Sequence, residues 1–141
     1  MNKYMSAKIV SDCINEEFKN PFPDVIEVGN GPEDTAQYKN FFDLNCVPKE
    51  LMTKPLYIHL DMSVSGDMTG IAGVWISGKK VSTDEDQSKD LNFRLAFSVS
   101  IKAPKGRQIS FEKNRKFIRW LKEVGFKIKH ITSDTYQSYD L

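Results

Sequence analysis

The chain has 141 residues, 40% hydrophobic and 28% charged, with a formal net charge of +1, proportions that fit one ordinary globular domain with a real core. No stretch approaches the roughly 18 consecutive apolar residues of a membrane span, and the opening MNKYMSAKIVSDCINEEF lacks the continuous apolar run of a secretory signal, so the expectation is a cytoplasmic protein with no membrane partner. Cys13 and Cys46 are far apart and form no CxxC pair, which argues against a zinc site or a disulfide scaffold and suits a reducing compartment.

In chain order, Ile9, Val10, Cys13, Ile14 and Phe18 fall on one helical stripe, so an amphipathic helix is expected before NPFPD stops it. PDVIEVGNGPED reads as a short extended piece and a turn, and TAQYKNFFDLNCVPKELMTKP as a linker-like passage without a period. Residues 1–50 are thus expected to be an extension leading into a domain over 51–141.

From Leu56 the pattern is that of strands. LYIHLDM alternates, with Leu56, Ile58 and Leu60 on one face and Tyr57, His59 and Asp61 on the other. SVSGDMTG is short and polar enough for a hairpin connection, TGIAGVWIS follows as a second strand with Gly78 helping it turn, and LNFRLAFSVSI makes a third beyond the acidic loop STDEDQSKD. ISFEKNRKFIRWLKEVG has a helical period, with Phe117, Ile118, Leu121 and Val124 inward, Arg115, Arg119 and Lys122 outward, and Gly125 as the stop. FKIKHITSD is a last strand ending at Asp134. The predicted class is therefore α/β: three antiparallel strands, a helix, then a fourth strand parallel to the first.

That topology predicts that Asp61 and Asp134 meet at the carboxyl ends of neighbouring strands, where open α/β sheets place ligands. Two carboxylates so close repel unless one takes a proton or a cation sits between them, and hard oxygen ligands suit Mg²⁺. A pair of ions about 4 Å apart could activate a water and stabilise the leaving oxygen of a phosphodiester. The competing reading of Asp61 alone is a strand-end or Asx-turn aspartate. Asp67 fits ordinary turn chemistry, and His59 and His130 could support the acids or be satisfied imidazoles. The acidic loop residues Asp84, Glu85, Asp86 and Asp90 read as solvated.

Charge is uneven along the chain. Residues 102–130 hold ten Lys/Arg against two Asp/Glu, a local excess of +8, whereas residues 1–50 are acidic. Lys105, Arg107, Arg115, Arg119 and Lys122 in the basic stretch could meet a phosphate backbone, or line a solvated helix face. GVWISGKK, residues 73–80, has the G-x-x-x-x-G-K spacing of a phosphate-binding loop, but Lys80 stands where Ser or Thr would hold Mg²⁺ and Val74, Trp75 and Ile76 are strand formers, so it reads as strand and turn.

FFDLNCVPKELMTKPLYIHLDMSVSGDMTGIAGVWI, followed by a basic helix and ITSDTYQSYDL, resembles the nuclease domain of the bacteriophage terminase large subunit. The resemblance spans about residues 41–141 and rests on two ordered motifs, His59 to Ala72 and Asp134 to Ser138. It implies a ribonuclease H-like fold incomplete at its C-terminus, with Asp61 and Asp134 as catalytic and metal-binding acids. It also implies a third acid beyond Leu141, Asp140 being misplaced for that role. The implied reaction is cleavage of double-stranded DNA with Mg²⁺ or Mn²⁺, two ions together, during genome packaging in a host cytoplasm. The implied partners are DNA, a terminase ATPase domain or subunit, the small terminase and the portal. Two other readings stand beside it: a noncatalytic remnant or binding module of the same fold, and an actin-like or sugar-kinase-type nucleotide-binding domain.

Overall fold

A computed structural model describes residues 18–29, 35–62, 68–79, 91–104 and 111–133. The N-terminal stripe before Phe18, the acidic loop, Asp67, Lys105, Arg107 and Asp134 lie outside the described residues. Those described form a mixed five-stranded sheet and one α-helix. The strands are β1 (Val25–Glu27), β2 (Pro55–Met62), β3 (Met68–Lys79), β4 (Leu91–Lys102) and β5 (Lys127–Ser133), and the helix is α1 (Phe111–Val124).

The sheet order is β1-β4-β3-β2-β5. β2, β3 and β4 make an antiparallel meander, and β5 returns after α1 to lie parallel to β2. This is the strand arrangement expected from the sequence, because period-2 alternation fixes which side of each strand must be buried. Leu56, Ile58 and Leu60 of β2 are buried with Ile71 and Trp75 of β3 and Phe97, Val99 and Ile101 of β4. α1 covers this face through Phe117, Ile118 and Leu121. Each such side chain contributes about 1.5–3 kcal/mol by leaving water. GVWISGK runs inside β3 as a strand, with Gly78 at φ +142°.

Gly125 ends α1 as the sequence predicts. Its N–H donates to Lys122 O and that of Phe126 to Leu121 O, the paired bonds that satisfy the last helical carbonyls, and φ of +121° at Gly125 lies where L side chains are strained.

The short extended piece expected in PDVIEVGNGPED is β1, but its place in the sheet and the turns of the linker-like passage escaped the sequence pattern. β1 pairs parallel with β4, Val25 beside Ser100. Asn20 extends that edge: its amide donates to Ser98 O at 2.8 Å and accepts from Ser98 N–H at 3.2 Å, as a strand residue's backbone would. The linker-like passage forms three 3₁₀ turns, Tyr38–Phe41, Leu44–Cys46 and Lys49–Thr53. Tyr38, Phe42 and Leu51 from this passage, and Phe22 before it, are buried in the same core as the sheet. Short 3₁₀ turns give no 3.6-residue stripe, so the burial of these residues has no periodic signature.

Candidate functional site

The face of the sheet opposite α1 carries a shallow depression of about 230 Å³. Its floor is made of small residues in register across β3 and β4, Gly70 beside Ser100 and Ala72 beside Ser98. Asp61 and His59 of β2 stand on one side, paired with Gly70 and Ala72 respectively. Both are exposed, as their alternation with the buried Ile58 and Leu60 requires. Gly70 leaves the space beside Asp61 open, its missing side chain lying against Asp61 Cβ.

β2 and β5 are parallel neighbours, with His59 beside Thr132 and Leu60 beside Ser133. Thr132 Oγ1 lies 2.7 Å from His59 Nδ1, which ties the imidazole to the adjacent strand. The described part of β5 ends at Ser133, so Asp134, the other sequence-predicted metal ligand, lies just outside the described residues. Among the described residues, no three His, Cys, Asp or Glu side chains converge in a way that could hold a metal ion.

His130 does not join Asp61. It pairs with Tyr57, and the two rings stack with centroids 5.9 Å apart and planes inclined by 26°. Lys129 is skipped by the register shift between Leu56 and Tyr57, a bulge in the edge strand.

Asp24 closes the far side of the depression, a position that no pattern in the sequence marks. It immediately precedes β1, whose Val25 sits in the row Val25, Ser100, Gly70, Asp61. With neighbouring strands about 4.8 Å apart, that row spans roughly 14 Å, too far for one ion to bridge Asp24 and Asp61. Asp24 therefore bounds the depression without completing a metal site.

The basic helix divides. Arg119 and Lys122 are exposed, whereas Arg115, expected outward, is half-buried, with a shielded Nε that has no hydrogen-bond partner among the described residues. Lys113 Nζ donates to Ala36 O and so helps fasten α1 to the chain before the first 3₁₀ turn. Asn114, on the inward stripe, is fully buried and accepts a 2.8 Å bond from Tyr38 Oη. Its Nδ2 faces Met62 Sδ at 3.6 Å. A polar residue three positions before Phe117 and seven before Leu121 was the available clue to this contact.

Among the described residues no helix is long and apolar enough to cross a membrane. No protein-family model matches this chain, and neither a curated protein nor a solved structure matches it significantly.

Proposed function

We propose that this chain belongs to a ribonuclease H-like, divalent-metal-dependent endonuclease acting on double-stranded DNA, of the kind found in the phage terminase large subunit. The observation that carries this reading is the parallel pairing of Leu60 with Ser133, because each is the residue immediately before an acid, Asp61 and Asp134. The reading requires Asp134 to stand beside Asp61, one step beyond that pair. The antiparallel meander followed by a helix and a parallel fourth strand is also what a ribonuclease H-like fold demands.

Asp61 suits the role of a metal ligand. It is an exposed hard-oxygen donor at a strand's carboxyl end, with the bare backbone of Gly70 beside it. Two bound Mg²⁺ or Mn²⁺ ions would supply a nucleophilic water and stabilisation of the leaving oxygen. In this reading Asp61 and Asp134 would hold the ions, His59 is kept in place by Thr132, and the exposed Arg119 and Lys122 would offer cations to the phosphate backbone. ATPase, small terminase and portal partners belong to the same proposal.

The test is nicking of supercoiled plasmid in Mg²⁺ or Mn²⁺ by the full protein. Asp61→Asn and Asp134→Asn should each abolish cleavage. Undiminished cleavage by both variants rules the reading out.

A further inference from the structure

Beneath the carboxyl end of β2, four side chains from four separate elements meet on the side of the sheet opposite Asp61. Met62 is central. Its Sδ accepts from Asn114 Nδ2 of α1 at 3.6 Å and from Thr69 Oγ1 of β3 at 3.9 Å. Asn114 Oδ1 in turn accepts from Tyr38 Oη of the first 3₁₀ turn at 2.8 Å. Tyr38 is 1% exposed, Asn114 0% and Thr69 3%.

These polar groups lie at the margin of a core otherwise built from aromatic and aliphatic side chains. With desolvation already counted, a typical hydrogen bond among such groups contributes a net of about 0.5–1.5 kcal/mol. Replacing both partners of such a bond by apolar groups of the same shape can be nearly neutral for stability, whereas the bonds fix one geometry.

Its position shows what that geometry controls. Up to Leu60, β2 is paired on both sides, by β3 and by the described part of β5. Asp61 and Met62 then pair with Gly70 and Thr69 of β3. Asp61 faces the depression, while Met62, its chain neighbour, faces the core. A fixed Met62 side chain therefore limits rotation and lift of the strand tip that carries the Asp61 carboxylate.

We infer that Asn114, supported by Tyr38, is a positioning residue for Asp61, acting through the Met62 thioether. The inference rests on the reading of Asp61 as a metal ligand. Residues that orient ligands from behind typically govern about 10–100-fold in metal affinity, and a misplaced acid would be felt in metal binding before DNA binding.

Mn²⁺ titration followed by electron paramagnetic resonance on the full chain tests it without requiring cleavage. The variants are Met62→Leu, which keeps the volume and removes the sulfur acceptor, and Tyr38→Phe with Asn114→Leu, which replaces both hydrogen-bonding partners by apolar groups of similar shape. Asp61→Asn is the reference for loss of the ligand. Folding of each variant is checked by circular dichroism, and Met62→Leu decides the matter should the double variant fail to fold. The expected result is Mn²⁺ binding weakened about tenfold in the variants, with DNA affinity unchanged. Wild-type Mn²⁺ affinity in folded Met62→Leu overturns the inference. Equal Mn²⁺ binding by wild type and Asp61→Asn overturns instead the metal reading on which it stands.

Discussion

Phe97 lays its ring across Gly73, its cross-strand partner, so closely that a Cβ on Gly73 would come within 2.5 Å of the ring. Phe97 has no room to retreat. It is fully buried and meets Phe22, Phe42 and Phe117 with ring centroids 5.9, 5.7 and 5.8 Å away. The glycine that begins the phosphate-loop-like spacing is thus there to admit an aromatic ring into the core.

Gly73→Ala should therefore destabilise the protein by about 1–3 kcal/mol, the range for an overpacked core. Urea unfolding measures this, and an unchanged midpoint would show that the ring moves aside freely. Gly70→Ala makes an informative contrast, because a methyl there would rest against Asp61 Cβ at an ordinary 3.7 Å.

Tyr38→Phe removes the hydroxyl donor to the fully buried Asn114 amide while retaining the ring that packs 6.0 Å from Phe117. The expected loss is ~1 kcal/mol, appropriate to one buried hydrogen bond between neutral groups. A larger loss from Tyr38→Leu than from Tyr38→Phe, read in the same unfolding experiment, would separate the ring's contribution from that of the hydroxyl.

Arg119 and Lys122 are exposed on α1. If they touch phosphates, Arg119→Ala and Lys122→Ala should each lower the slope of log affinity against log salt by roughly 0.9. Fluorescence anisotropy with a short duplex at several salt concentrations gives that slope, and slopes equal to wild type would assign these cations to solvent alone.

Cys46 supplies a pH-dependent readout of the second 3₁₀ turn. Burial raises the pKa of its thiol, and the Asp43 carboxylate, whose Oδ2 lies 3.6 Å from Sγ, raises it further by charge and hydrogen bonding, against a smaller opposing pull from Lys19. The folded thiol keeps its proton to higher pH than the unfolded one, so the associated stability is complete below the ordinary thiol pKa. It declines as pH rises through the folded value. Since the thiolate is the reactive form, Cys46 in a Cys13→Ser background should label slowly at mildly alkaline pH. Asp43→Asn should accelerate labelling, its amide oxygen still able to accept from Asn45 N–H as Asp43 Oδ1 does at 2.9 Å. Equal rates in the two proteins would contradict the Asp43 effect.

The strand order of the meander, the helix and its glycine stop, and the outward side of Asp61 were all legible in local patterns. Alternation in LYIHLDM and the inward stripe Phe117, Ile118, Leu121 each arise from a regular repeat, and burying one face of such a repeat leaves few arrangements. Tertiary structure alone decided the rest. Tyr38 and Leu51 enter the core from aperiodic 3₁₀ turns, Asp24 reaches the depression only because β1 adds to β4, and His130 is drawn to Tyr57 across a bulge. Asn114 finds Tyr38 76 residues away in sequence. Such partnerships depend on which distant segments pack together, and a local repeat carries no record of that choice.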